Sequence, residues 1–284
     1  MEEKQKIQEK MEKQYEEQQS MIETEKTLIN RFRAGSRAGF AKSRERALEK
    51  VEIIEKPEAH IGAKFTFPYD KNCPETLIKI EDVFIGRTEP LFYIRDAVLG
   101  KKDRIGIVGE NGVGKSTFLK TILGQIPKLE GTLHVHPGVR MLYFSQLHED
   151  LVPEKSIYDN FQLHGFSYTR ERIGSIIQTH GFSFHDTEKK VSSLSGGERS
   201  RLLFALLGQR ESNLLVLDEP TNHLDYETRE SLEKTLREYE GTILFISHDR
   251  YFVNKLASKL WIIEDGELII SYGNYEDYRY KRER

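Results

Sequence analysis

From residue 76 onward, short apolar runs alternate with amphipathic stretches along the chain. Leu77–Ile80, Ile105–Val108, Arg140–Phe144, Leu214–Leu217 and Ile243–Ile246 are brief and rich in aliphatic or aromatic side chains, as strands are. The last two are apolar at every position, which a strand buried on both faces requires. Helical spacing fills 115–124, 199–209 and 226–239 between several of these runs. Such alternation predicts an α/β fold with a mostly parallel sheet. Leu260–Ile263 and Glu267–Ile270 flank Asp265-Gly266, a β-hairpin signal.

Residues 1–56 follow a different rule. They are mostly Glu, Lys, Gln and Arg, with no glycine before Gly35 and no proline before Pro57. Ile7, Met11, Tyr15, Ile22 and Ile29 recur at steps of four and seven, and Phe40, Ala47, Val51 and Ile54 continue the sparse stripe. That spacing is helical, and the stripe is too thin to bury against a full core. Gly35 and Gly39 interrupt it, which predicts two antiparallel helices, the first about 45 Å long at a rise of about 1.5 Å per residue. Pro57, Pro68 and Pro74 mark a connecting segment over 57–75, ahead of a domain over 76–284.

Composition narrows the class. Apolar residues make up 37% and charged residues 31%, and no apolar run approaches a membrane span of roughly 18 residues. The first residues lack the apolar stretch of a secretory signal. A lone cysteine, Cys73, fits a reducing, cytoplasmic setting. A net charge of −3 gives no overall pull toward nucleic acid, but the distribution does. Arg31, Arg33, Arg37, Lys42, Arg44 and Arg46 cluster at the turn of the predicted arm. Six cations at a tip can neutralise several phosphates of a nucleic acid, and a solvated helix end is the alternative reading.

Chemistry enters with Gly109-Glu110-Asn111-Gly112-Val113-Gly114-Lys115-Ser116-Thr117, a match to G-x-x-x-x-G-K-[ST] between a predicted strand and a predicted helix. Its glycines let successive backbone N–H groups turn around phosphates at the positive end of the helix. Lys115 is expected to reach the β- and γ-phosphates and Ser116 to place its hydroxyl on Mg²⁺. The apolar run Leu214–Leu217 delivers Asp218 beside that metal, with Glu219 next to it as the base for an attacking water.

Leu194-Ser195-Gly196-Gly197-Glu198 lies outside the general phosphate-loop plan and resembles the signature sequence of ABC ATPases. Gln146 in Tyr143–Gln146 resembles their Q-loop glutamine, which touches Mg²⁺ and the catalytic water. His248 in Ser247–Arg250 resembles their switch histidine at the γ-phosphate. Glu219–Asp225, with Asp225 in the D-loop position, is similar to the ABC-F group of that superfamily. Ser247–Phe252 and Tyr272–Tyr278 extend the likeness. The resemblance implies an ABC-type nucleotide-binding domain with a helical subdomain over about 147–200, preceded by an α-helical hairpin arm.

The resemblance also implies a function. Two ATP molecules, with Mg²⁺, would be sandwiched between this domain and a second one, either upstream in a longer polypeptide or in another copy. Ser195, Gly196 and Gly197 would then hold the γ-phosphate bound by the other domain's phosphate loop. The ABC-F linker enters the ribosome, so the arm's cations would meet RNA there, with no membrane involved. A DNA-structure-binding relative and a transporter ATPase subunit are the other two readings. The place of the family's adenine-stacking aromatic falls at Gly86 or Arg87, with Phe84 and Phe92 nearby.

Overall fold

The computed structural model describes residues 63–282. The arm expected over 1–56, its cations Arg31, Arg33, Arg37, Lys42, Arg44 and Arg46, and the first part of the connecting segment lie outside those residues.

Nine strands of the described residues form one sheet. They are β1 (Thr76–Gly86), β2 (Pro90–Gly100), β3 (Arg104–Gly109), β4 (Glu130–Val135), β5 (Met141–Phe144), β6 (Leu214–Asp218), β7 (Thr242–Ile246), β8 (Lys259–Glu264) and β9 (Glu267–Tyr272). Their spatial order is β4-β1-β2-β9-β8-β3-β7-β6-β5. The run from β8 to β5 is parallel throughout, as the apolar runs predict. β4, β1 and β2 add an antiparallel wing. The expected hairpin is present, with Trp261 opposite Ile270 and Asp265-Gly266 at the turn.

The parallel strands are apolar at every position because they separate two cores. Leu214, Val216, Leu244 and Ile246 point into one, where α1 (Lys115–Ile122) sets Phe118 against Trp261 and Phe92. Leu215, Leu217, Ile243 and Phe245 point into the other, which α4 (Gly196–Leu207), α5 (Tyr226–Glu238) and α6 (Arg250–Leu256) cover with Phe204, Leu236 and Phe252. Between β5 and β6 the chain holds helices only: α2 (Ile157–Leu163), α3 (Arg170–Thr179), two 3-10 turns and α4. The C-terminal α7 (Tyr275–Arg282) follows β9.

Two boundaries differ from the sequence pattern for identifiable reasons. α4 starts at Gly196 rather than 199, because Ser195 and Glu198 form a reciprocal capping box that extends the helix into the glycines. The other difference concerns residues 63–75. They lack regular strand, as the prolines suggest, yet Ala63, Phe65 and Phe67 are buried, with Phe65 and Phe67 edge-on to Phe204. The period-two spacing of those phenylalanines anchors the segment to the second core. No helix among the described residues is long and apolar enough to cross a membrane.

Candidate nucleotide-binding site

Parallel strands with a common direction bring their C-terminal ends to one edge, where α/β folds bind ligands. Gly109 ends β3, Asp218 ends β6, and Gln146 and His248 stand just beyond β5 and β7. Four segments remote in sequence therefore converge because β3, β7, β6 and β5 are lateral neighbours.

The phosphate loop Gly109–Gly114 turns from β3 into α1. Gly114 is the helix N-cap at φ 108°, in the left-handed region that glycine tolerates. A side chain there would also meet Leu91 at 2.9 Å. Glu110, Asn111 and Gly112 are exposed, while Lys115 is buried and folds back, donating to the carbonyls of Gly109 at 2.9 Å and Glu110 at 2.7 Å. Burial lowers its pKa, and the carboxylates of Glu219 and Asp218 oppose that. Thr117 accepts through its carbonyl from the Thr121 hydroxyl, stiffening the first turn of α1.

Asp218 and Glu219 are 3% and 5% exposed, although both are acids. Burial raises the pKa of each. A hydrogen bond with Ser116 and the charges of Lys120 and Lys115 pull Asp218 back toward ionisation. Glu219 has φ 53°, a strained conformation for a residue with a side chain. Its Oε2 accepts from the His248 backbone N–H at 3.3 Å. Its Oε1 lies 3.5 Å from His248 Nε2, at the far limit of a hydrogen bond, and has no hydrogen-bond partner among the described residues. Asp218 Oδ1 is likewise buried without one. Buried carboxylate oxygens normally have partners, so these two orphans mark where a cation and a polar ligand fit.

The donor set suits Mg²⁺. One carboxylate and one hydroxyl beside a phosphate cradle is how that ion is held, with phosphates and water completing its shell. Among the described residues no group of three or more His, Cys, Asp or Glu gathers to hold a metal alone. Gln146 is exposed at the same edge. A cavity of about 560 Å³ opens beside the loop, walled by Gly109, Glu110, Val113, Lys115, Ser247 and His248 among others.

Ser195, Gly196, Gly197 and Asp225 make a second cluster, and none of them lines that cavity. Ser195 Oγ accepts from the Glu198 N–H at 3.2 Å, and Glu198 Oε2 accepts from the Ser195 N–H at 2.7 Å. The N–H groups of Gly196 and Gly197, in the first turn, have no intrahelical acceptor. Asp225 caps α5 by accepting from the Thr228 N–H at 2.9 Å and pairs with Arg201 of α4 at 3.4 Å. Those contacts hold its carboxyl below the usual range against a burial effect that pushes it up. A Cβ on Gly197 would lie 2.7 Å from the His223 carbonyl oxygen, so only glycine lets the two loops meet.

Several residues here carry no sequence motif. Arg229 of α5 pairs with Asp249, the cap of α6 beside His248, and with buried Glu233 at 3.3 Å. Lys255 joins Glu233 at 3.1 Å. Ion pairs between different helices leave no trace in spacing. Phe92 is 2% exposed under Phe118, and Phe84 is turned toward Tyr93. The exposed apolar side chain beside the loop is Leu91.

Comparisons with known proteins agree with this geometry. A family model described as ABC transporter matches residues 96–222, and a second of the same description matches residues 1–67. The chain is 34% identical over 274 residues to "Putative ATP-binding protein YdiF" of Bacillus subtilis, covering 95% of this chain and 43% of that one. It is 34% identical to "ABC transporter F family member 2" of Arabidopsis thaliana, covering 92% and 39%. Identity to "Probable ATP-binding protein YheS" of Haemophilus influenzae is also 34%, covering 93% and 43%. The chain thus spans about two-fifths of the length of these relatives. A solved ATP-binding subunit of an ABC transporter shares the fold at TM-score 0.60 and 19% identity, covering 73% of this chain and 94% of that one. This chain belongs to the ABC ATPases, a membership that implies ATP binding and hydrolysis, and its curated relatives are of the ABC-F type.

Proposed function

We propose that this chain is a Mg²⁺-dependent ATPase domain that closes head-to-tail on a second such domain around ATP, and that the closed form clamps the ribosome in the cytoplasm. The observation that carries the reading is the buried Asp218–Glu219 pair, each with an orphaned oxygen, at the strand edge beside the phosphate loop. The second domain lies upstream in a longer polypeptide or is another copy of this one.

Placement supports a role for each residue. The amides of Glu110, Asn111, Gly112, Val113 and Gly114 and the ammonium of Lys115 bind the phosphates, and Thr117 supports the first turn behind them. Ser116, Asp218 and Gln146 would hold the metal, which would supply charge neutralisation to the phosphates. Glu219, made more basic by burial, orients the attacking water and accepts its proton. His248 spans Glu219 and the γ-phosphate. Ser195, Gly196 and Gly197 present a hydroxyl and two amides to the γ-phosphate held by the other domain, and Asp225 sits beside them.

The arm's Arg31, Arg33, Arg37, Lys42, Arg44 and Arg46 supply an RNA contact through phosphates. A Glu219→Gln protein with ATP, sedimented with ribosomes, branched DNA or membranes, tests the target. The expected result is ATP-dependent recovery with ribosomes, and recovery with membranes alone would overturn it. Changing Arg31, Arg33 and Arg37 to Ala should weaken ribosome binding and flatten its salt dependence by about 0.7 log units per lost phosphate contact. Equal affinity would remove the arm from the account.

A further inference from the structure

The turn that carries Gln146 is tied to α1 and to α4 through the adjacent residues Glu149 and His148. It is tight: the His148 N–H donates to the Ser145 carbonyl at 3.1 Å, and the Glu149 N–H to the Ser145 hydroxyl at 3.0 Å. His148 sits at φ 51°, a conformation that a side-chain-bearing residue keeps only when its surroundings enforce it. The enforcement is visible. Glu149 pairs with Lys120 of α1, the helix of the phosphate loop, at 3.0 Å. His148 Nε2 lies 2.9 Å from Ser200 Oγ of α4, the helix that Ser195 caps. The His148 ring also stands edge-on to Phe144, which stacks on Phe204 of α4 with centroids 4.3 Å apart.

The direction of the bond can be assigned. Ser200 Oγ donates to the Gly196 carbonyl at 3.2 Å, which uses its only proton. His148 Nε2–H is then the donor to Ser200. A chain of two hydrogen bonds runs from the glutamine turn to the backbone of Gly196, beside Ser195. Ser200 is 1% exposed, so water does not compete for this bond.

We infer that His148 is a positioning residue that couples the glutamine turn to the signature helix, so that occupancy of the chain's own phosphate loop sets the pose of the Ser195 end of α4. This rests on the reading that Gln146 and Ser195 serve nucleotides in two different composite sites. The link then carries information between those sites within one chain. Gln146 senses one γ-phosphate, and Ser195 acts on the other.

The test is a double-mutant cycle on ATP turnover by the full chain, with His148→Leu, Ser200→Ala and the pair, beside His148→Gln, which keeps a side-chain N–H donor. The expected outcome is a several-fold fall in kcat in each single variant, little change in KM for ATP, and a double variant no worse than the worse single one. His148→Gln recovers most of the rate. A defect confined to packing would instead lower the melting temperature of His148→Leu without separating kcat from KM, and His148→Gln would not rescue it. That pattern, unchanged kcat in both single variants, or fully multiplicative losses overturns the inference. Failure of the underlying reading looks different. Lys115→Ala and Glu219→Gln would then leave turnover in place, whereas failure of the link alone leaves those two inactive and the His148 and Ser200 variants at the wild-type rate.

Discussion

The strand-edge cluster and the signature cluster are built on opposite principles. At the strand edge, Asp218 and Glu219 are buried acids with oxygens left unpartnered, Glu219 has a strained backbone, and Lys115 is folded onto the carbonyls of its own loop. At the signature helix the capping side chains are reciprocally satisfied, and Arg201 Nε is the buried group left without a hydrogen-bond partner there among the described residues. Ser195 and Glu198 cap each other, and Asp225 has both Thr228 and Arg201. One region holds unsatisfied groups that a ligand inside the chain would satisfy. The other has its caps satisfied within its own chain and offers the free amides of its first turn, which suits the proposed ligand carried by another domain. Open carboxylate oxygens in one place and satisfied caps in the other fit the proposed ATP-sandwich geometry.

The comparison breaks most readily at Glu219. Replacing it with Gln should lower turnover by two orders of magnitude or more, the scale of losing a positioned general base, while ATP still binds; steady-state hydrolysis and equilibrium nucleotide binding measure the two halves. Ser195→Arg should also abolish most turnover, because its side chain fills the space a partner's γ-phosphate needs. Binding to the variant's own phosphate loop should change little, which fluorescence titration with a labelled ATP would show.

Smaller effects sharpen the contrast. Gly197→Ala drives a Cβ to 2.7 Å from the His223 carbonyl, and overpacking of that kind costs about 1–3 kcal/mol. A drop of several degrees in melting temperature is expected, whereas Gly112→Ala meets nothing within 4 Å and is strained only by its φ of 81°. The smallest effect is a gain. Burial raises the pKa of Glu219, so its deprotonation costs stability once pH rises above the unfolded value of about 4.3. Glu219→Gln should therefore melt higher than the unaltered chain near pH 8. That advantage should shrink as pH falls through the raised folded value and vanish near pH 4. A constant advantage at all pH values would mean that burial of charge is not its source.

Much of this was legible in the sequence, unevenly. The uniformly apolar Leu214–Leu217 and Ile243–Ile246 fixed the parallel centre, because only strands between two cores lack polar positions. The phosphate loop and the acids at the end of β6 were legible because their chemistry depends on local spacing. The antiparallel wing was harder. In β2 the adjacent charges Arg95 and Asp96 break the alternation between Ile94 and Ala97. The segment 63–75 read as linker because its prolines are louder than its two phenylalanines. His148, Arg201 and Arg229 escaped altogether, since each acts through a contact with a residue more than twenty places away or on another helix. Tertiary ion pairs and hydrogen bonds have no period.

The central claim is that the two clusters serve different ATP molecules across a domain interface, and mixing tests it most directly. Lys115→Ala and Ser195→Arg should each be inactive alone. Combined in equal amounts, they should recover up to about a quarter of wild-type turnover, because half of the head-to-tail dimers are mixed and each keeps one intact site of two. A mixture that stays inactive while both variants dimerise, or either variant active by itself, would contradict the account.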